Sequence, residues 1–194
     1  MFPLLNRIAL QTEVEEGRLV VDPFEPSHLR PASYVLRLGY RFRRWIAGDR
    51  PIHMWSENAA DSFLTEPLEC AQFVLQPREF VLACTFESVG LPGNRWAVIS
   101  PLSHVARFGL GIHCGADLVN PGFGATTPTQ LTLELYNHNA SPLILTGGMP
   151  VAHLRIAAID AIATSASIYE RQDPVGPPRF FEEMSPAFGQ GVGT

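Results

Sequence analysis

The sequence contains no lysine: all 14 basic residues among its 194 are arginine. Without lysine the chain cannot form a Schiff base with a carbonyl substrate, and it cannot carry the lysine of a P-loop. A phosphate group would have to be bound by arginine, histidine, hydroxyl groups or backbone amides, and the planar guanidinium suits that role. The net charge is −5 and no basic run occurs, so we expect a small anionic ligand rather than nucleic acid.

Cysteine and long apolar runs are also scarce. The three cysteines, Cys70, Cys84 and Cys114, are far apart and never form a Cys-x-x-Cys pair. Their number and spacing therefore predict neither a disulfide framework nor a zinc site. No apolar run reaches the roughly 20 residues that a bilayer-spanning helix needs, and no basic stretch leads into an apolar core at the start. We expect a cytoplasmic protein without a membrane partner.

Proline and glycine are abundant, at 17 and 16 residues, and they separate short runs of β-branched and aromatic residues. This pattern is typical of many short strands and predicts an all-β fold, a barrel or jelly roll. A short helix is expected before Gly17, and another over 102–108, where Ser103 and Arg107 would share one face. The predicted strands are 18–21, 34–40, 73–75, 80–86, 96–100, 111–114, 131–137, 143–145 and 150–159.

The chain is predicted to form one β domain over 1–168 and a flexible arm over 169–194. Residues beyond Tyr169 include the prolines Pro174, Pro177 and Pro178 and a glycine-rich end. Such a composition has little capacity for regular structure.

Glu134 lies within an apolar strand pattern. In a strand, Leu131, Leu133 and Leu135 would share one face, while Thr132 and Glu134 would share the other. The pattern alone favours a solvent-facing residue over a catalytic one.

Five segments, in order, resemble the dCTP deaminase branch of the trimeric dUTPase superfamily. Residues 21–26 (VDPFEP) and 30–39 (RPASYVLRLG) are similar to "IDPF" and "QPASYDLRLG". Residues 77–85 (PREFVLACT) are similar to "PGEFVLATT", residues 103–110 (SHVARFGL) to "SSLARLGL", and residues 131–135 (LTLEL) to "ITLEL". The resemblance covers about 18–159 and identifies the chain as a divergent member of the family.

The resemblance implies a distorted β-barrel or jelly roll that assembles into a homotrimer with sites between subunits. It implies that Glu134 is the general base for a water attacking C4 of cytosine. It also implies that Ser103 and Arg107 hold that water and the cytosine ring. Hydrolytic deamination needs an activated water and two further proton transfers. Zinc deaminases supply them with His-x-Glu and Pro-Cys-x-x-Cys motifs, which this chain lacks. We therefore expect no zinc, and Mg²⁺ only as a companion of the substrate phosphates.

The remaining residues expected at the substrate site follow from the same resemblance. Backbone groups near Ala116 would hold the base. Leu102 stands where the family has an arginine that binds phosphate, and His104 and Arg179 are candidates to replace that contact. A lone histidine on a short helix is, however, more often a surface or packing residue. The full set of expected substrate-binding residues is Leu102, His104, Ala116, Asn120, Thr132, Leu133, Arg179 and Phe180.

Several family positions differ in this chain. Val35 replaces the aspartate of "SYDLRL", Leu102 an arginine that binds phosphate, Leu118 a second arginine, and Asn120 the aspartate of "IDPG". An amide cannot act as a general base, so Asn120 disfavours dUTP diphosphatase activity.

These losses predict an altered substrate such as a monophosphate or a modified base. Three functions are left open: a deoxycytidine nucleotide deaminase first, a catalytically weakened nucleotide-binding trimer second, and a dUTP diphosphatase last.

Overall fold

The computed structural model describes residues 4–46, 48–160 and 173–188. Its helices are α1 (Arg7–Glu15), α2 (Ser103–Arg107) and α3 (Phe180–Phe188). The strands are β1 (Val20–Asp22), β2 (Leu29–Arg30), β3 (Ser33–Arg44), β4 (Leu68–Glu69), β5 (Gln72–Leu75), β6 (Phe80–Gly90), β7 (Arg95–Pro101), β8 (Leu110–Gly111), β9 (Leu118–Val119), β10 (Thr129–Asn137), β11 (Leu143–Thr146) and β12 (Pro150–Ala158).

Ten strands form one curled sheet in the order β8-β10-β6-β3-β12-β7-β9. The remaining three strands of this sheet attach at its middle, β1 to β6 and both β2 and β4 to β3. Strands β5 and β11 form a separate antiparallel pair. Every pairing is antiparallel, so the predicted all-β barrel with a short amino-terminal helix is confirmed.

The long strand β3 joins the two halves of the barrel. Its first part, around Tyr34, pairs with β12, and its second part, around Phe42, pairs with β6. The pairing register shifts between Leu38 and Phe42. A β-carbon at Gly39 would lie 2.7 Å from the Cys84 sulfur and 2.9 Å from two carbonyl oxygens. Glycine is therefore required where the strand bends closely against β6.

The main core is built from alternating strand residues. Leu36 and Leu38 of β3, and Leu133 and Leu135 of β10, are fully buried in one hydrophobic cluster. A second, smaller cluster contains Ala60, Leu64, Leu82, Cys84 and Val175, with Trp45 and Phe80 packed against it. It lies on the opposite face of β6, because Leu82 and Cys84 alternate with the core residues Val81 and Ala83.

A buried ion pair ties β3 to β6. Glu87 has no exposed surface, and its carboxylate accepts hydrogen bonds from the backbone amide (2.8 Å) and Nε (2.6 Å) of Arg37. The same guanidinium lies 4.3 Å from the ring centre of Phe86. A buried carboxylate is tolerated only when it is paired and hydrogen-bonded, as it is here.

Helix α1 begins at Asn6, whose side chain accepts a hydrogen bond from the Ala9 amide at 3.0 Å. It ends before Gly17, whose φ of 69° lies in the left-handed region. The buried carboxylate of Glu13 receives hydrogen bonds from Arg95 at 3.0 Å and Arg18 at 3.3 Å. Because Arg95 begins β7, this contact fastens the helix to the barrel.

Two predictions about secondary structure were wrong. The strand expected over 111–114 is only Leu110–Gly111, since the following segment turns towards β10 and bonds to its edge. The tail was expected to lack regular structure, but Phe180–Phe188 is a helix. Phe180 and Phe181 pack edge-on against Trp55, a tertiary contact that composition does not reveal. The boundary predicted at residue 168 lies outside the described residues.

None of the helices in the described ranges combines the length and the apolar character needed to cross a bilayer.

The contact that attaches α1 to the barrel should stabilise the protein less as the pH falls into the acid range. Burial alone would raise the pKa of Glu13, but the bonds from Arg18 and Arg95 bring it below its ordinary value. A lowered folded-state pKa gives stability that is complete above the unfolded pKa and is lost as pH falls through the folded value. We expect Glu13→Gln to lower the free energy of unfolding by about 1.5 kcal/mol at pH 7, and the deficit to shrink towards pH 3.

Urea unfolding of both proteins between pH 7 and pH 3 measures this difference. Glu15→Gln, on the exposed side of the same helix, is the matched control and should stay within about 0.5 kcal/mol of the wild type. A Glu13→Gln deficit that is equal at pH 7 and pH 3 would contradict the assignment.

Candidate active site

Strand β10 determines where Glu134 points. Leu131, Leu133 and Leu135 are at most 4% exposed and lie in the main core. Glu134 is half-buried on the opposite face, across from Leu82 of β6. The predicted division of this strand into two faces is therefore confirmed, and the carboxylate is not among the leucines.

The segment after β8 holds the Glu134 carboxylate in place. Oε2 accepts a hydrogen bond from the Cys114 backbone amide at 2.9 Å. The Glu134 amide in turn donates to the Ile112 carbonyl at 3.1 Å, and the Cys114 sulfur lies 3.8 Å from the Glu134 carbonyl oxygen. Burial, and then the nearby carboxylate, raise the pKa of the Cys114 thiol. Oε1 has no hydrogen-bond partner among the described residues, so one oxygen is fixed and the other is available.

Glu134 opens into a cleft of about 470 Å³. Its lining comes from the segment around Ala116 and Asn120, from β10, from the ends of β3 and β6, and from the carboxyl-terminal segment. Six of the predicted site residues line this cleft: Glu134, Ala116, Asn120, Thr132, Arg179 and Phe180. A volume of this size is sufficient for a small ligand.

The carboxyl-terminal segment covers one side of the cleft. Val175 is fully buried in the smaller cluster, and Asp173 pairs with Arg41 at 3.0 Å. Beyond the prolines, Arg179 pairs with Asp61 at 2.9 Å, and the Glu182 carboxylate accepts a bond from the Asn58 amide at 2.7 Å. These contacts hold α3 against the segment between β3 and β4. Arg179 is thus already neutralised by an acid of the same chain.

The aromatic wall of the cleft, formed by Trp45 and Phe80, was not predicted from the sequence. Trp45 and Phe80 line it as a nearly parallel pair with ring centres 6.2 Å apart. The buried indole nitrogen of Trp45 has no hydrogen-bond partner among the described residues. No sequence signal relates position 45 to position 80. The cleft-lining acid Asp173 was missed for the same reason.

Three predicted residues lie on α2 and do not line the cleft. Ser103, His104 and Arg107 are exposed, and none of their side chains forms a hydrogen bond or ion pair with the described part of the chain. The predicted helix is confirmed, with Leu102 at its amino-terminal cap. Within a single chain, Ser103 and Arg107 therefore do not line the cleft that contains Glu134.

Two other predicted residues point away from the cleft. Leu133 is 0% exposed in the main core, so it could reach a ligand only through its backbone. Leu102 is partly buried and packs against the same core, offering no polar group for phosphate.

Among the described residues, no group of three or more histidine, cysteine, aspartate or glutamate side chains is placed to hold a metal ion.

Sequence and structure comparisons identify relatives. The family model described as dCTP deaminase-like matches residues 4–159. A dCTP deaminase of Halorubrum lacusprofundi is 34% identical over 183 residues, covering 90% of this chain and 85% of the relative. A dUMP-forming dCTP deaminase of Rhodococcus jostii is 35% identical over 162 residues, covering 82% of this chain and 83% of the relative.

A solved structure supports the fold. The crystal structure of 2′-deoxycytidine 5′-triphosphate deaminase from Agrobacterium tumefaciens matches with a TM-score of 0.63 at 19% identity. The match covers 81% of this chain and 49% of that one, so this chain spans about half the length of that protein. Because the family model spans most of the sequence and the relatives share a third of their residues with it, the chain belongs to the dCTP deaminase-like family of enzymes.

Proposed function

We propose that the protein deaminates a deoxycytidine nucleotide by hydrolysis, releasing the uracil nucleotide and ammonia, with Glu134 as the general base. The position of Glu134 supports this role most directly. Its carboxylate lies in a cleft, one oxygen is fixed by the Cys114 amide at 2.9 Å, and the other is available to hold a water. A positioned base within hydrogen-bond reach of its water is what general base catalysis requires.

The reaction moves two protons, one after the other, through one carboxylate. Glu134 takes a proton from water while the oxygen adds to C4 of the cytosine ring, and gives that proton to the ring nitrogen N3 as the C4–N3 double bond opens. It then takes the proton of the new C4 hydroxyl group and gives it to the amino group. The amino group leaves as ammonia, and the C4 carbonyl of uracil forms. One carboxylate that accepts and then returns a proton serves the sequence without a zinc ion.

The cleft is suited to a planar base. Trp45 and Phe80 form an apolar wall against which a pyrimidine can pack. Backbone groups near Ala116 and the exposed side of Thr132 supply polar contacts at the rim. A cleft with apolar walls and a few polar groups orients a ligand while it excludes water.

We propose that a neighbouring copy in a homotrimer supplies Ser103 and Arg107. Both are exposed and unpaired in the described chain, while the cleft with Glu134 lacks a free guanidinium. Arg107 would stabilise negative charge that develops on the ring, and Ser103 would orient the water. A ring in which each copy completes the site of the next gives three equivalent sites.

The charges around the cleft bear on the substrate. Glu134, Asp173 and Glu183 line it, and Arg179, its sole cationic lining residue among the described ones, is paired with Asp61. Within a single chain, this lining offers few of the cationic donors that a triphosphate needs. We propose a substrate with fewer phosphates or a modified base, with any Mg²⁺ carried by the phosphates.

Replacement of Glu134 tests the proposed mechanism. Glu134→Gln keeps the shape of the side chain and the bond from Cys114 but cannot accept a proton. We expect kcat to fall by about 10² to 10⁴-fold with little change in KM, because a general base contributes that much. Ammonia release from dCTP, dCMP and 5-substituted dCMP measures it.

The control for this variant is Glu66→Gln, an exposed glutamate without a contact to the cleft. It should behave like the wild type. Equal rates for Glu134→Gln and wild type would disprove the role of Glu134. Calorimetric binding of these nucleotides without any ammonia release would instead support the catalytically weakened binding protein.

The products should retain every phosphate of the substrate. Asn120 lines the cleft, but its amide cannot activate water for attack on phosphorus. We expect the product to differ from that of the Rhodococcus jostii relative, which is described as dUMP-forming. We expect ³¹P NMR to show no pyrophosphate after incubation with dCTP or dUTP. Pyrophosphate released from dUTP at an enzyme-like rate would contradict this expectation and favour the dUTP diphosphatase.

A further inference from the structure

Three neighbouring strands place polar residues on one outer face of the barrel. His153 of β12 lies directly opposite Val35 of β3 and Ser100 of β7. Directly opposed residues of antiparallel strands point to the same face, and so do residues two positions along. Ser33 and Arg155 therefore join this face. The intervening residues of β12, Leu154 and Ile156, belong to the main core and point the other way.

These residues surround an open pocket of about 610 Å³, which we call the arginine pocket. Its lining residues are Arg30, Pro31, Ala32, Ser33, Ser100, His153 and Arg155. None of them lines the cleft around Glu134. The pocket thus combines two guanidiniums, one imidazole and two hydroxyl groups.

The positive charge of the arginine pocket has no counterpart within the described chain. No acidic residue lines the pocket, and neither Arg30 nor Arg155 forms an ion pair with a described residue. One terminal nitrogen of Arg30 donates to the carbonyls of Ser27 (2.8 Å) and Leu29 (3.1 Å), which orients its guanidinium. Two guanidiniums that line one pocket without a carboxylate form a site that attracts an anion.

His153 is held in position by Ser33. Its Nδ1 lies 3.0 Å from the Ser33 hydroxyl oxygen, and Nε2 has no partner among the described residues. Burial, followed by the charges of Arg30 and Arg155, lowers the pKa of His153. The two arginines therefore act electrostatically on the same spot.

Position 35 supplies no counter-charge. Val35 is 3% exposed and lies on the same face as His153. A carboxylate at this position would offset part of the positive field and would oppose an anionic ligand. Valine leaves the field intact.

We propose that the arginine pocket binds the phosphate group of a phosphate-bearing ligand, with Arg30 and Arg155 as the charged donors and Ser100 and His153 as hydrogen-bonding partners. This site is separate from the cleft in which we propose that deamination takes place. Two sources share its chemistry: the phosphate tail of a nucleotide substrate, and a separate phosphate ligand. Guanidinium binding of phosphate is favoured in both cases because charge-assisted bonds are strong.

Calorimetric titration with pyrophosphate tests the pocket directly. We expect binding by the wild type at low salt, weakened as salt increases. Arg30→Gln and Arg155→Gln should each reduce the affinity by about tenfold, the loss expected for one charge-assisted hydrogen bond. The control Arg78→Gln removes an exposed arginine outside both cavities and should bind like the wild type. Unchanged melting temperatures show that the variants fold.

Steady-state kinetics distinguishes the phosphate tail of the substrate from a separate phosphate ligand. If the pocket holds the substrate tail, pyrophosphate competes with the nucleotide, and Arg155→Gln raises KM without changing kcat. If it holds a separate ligand, pyrophosphate binds without competing. Glu134→Gln should bind pyrophosphate like the wild type, so the result does not depend on catalysis. Absence of pyrophosphate binding, or equal binding by the Arg30, Arg155 and Arg78 variants, would overturn the proposal.

Discussion

The two-residue period of β10 is the constraint on which the site depends. Leu131, Leu133 and Leu135 are held in the core, so the intervening Glu134 must face the opposite side. A shift of one residue in register would bury the carboxylate and expose the leucines, at a large cost. The pairing of Glu134 with Leu82, and its bond from Cys114, then place one carboxylate oxygen within the cleft.

Around this carboxylate the chain separates its functions in space. The cleft has an aromatic wall and acidic rim, while unpaired arginines lie on α2 and on the outer face of β12. A cytosine base and its phosphates differ in the same way, one flat and weakly polar, the other strongly anionic. The separation is consistent with a site to which different surfaces of neighbouring copies contribute, each carrying one part of the recognition.

Local patterns predicted a large part of this arrangement. The alternation around Glu134, the helix bearing Ser103 and Arg107, and the glycine after α1 each depend on residues within a few positions of one another. The family and the role of Glu134 were predicted from the resemblance. Each motif alone is weak evidence, but the shared order and spacing of several motifs are informative.

The missing features depend on contacts between distant positions. The aromatic wall joins residues 45 and 80, and the carboxyl-terminal helix depends on Trp55 packing against Phe180 and Phe181, about 125 residues apart. The arginine pocket requires the register of β12 between β3 and β7. A single sequence does not encode such pairings in a readable pattern, because many partners satisfy the same local preferences.

Mixing of subunits shows whether Glu134 acts together with Ser103 and Arg107 of a neighbouring copy. Inactive Glu134→Gln and inactive Arg107→Ala proteins are unfolded together in equal amounts, refolded and assayed for ammonia release. In a closed ring of three, random assembly pairs an intact Glu134 with an intact Arg107 at about one quarter of the interfaces. We therefore expect about one quarter of wild-type activity to return. A mixture as inactive as its two components would contradict a site shared between copies.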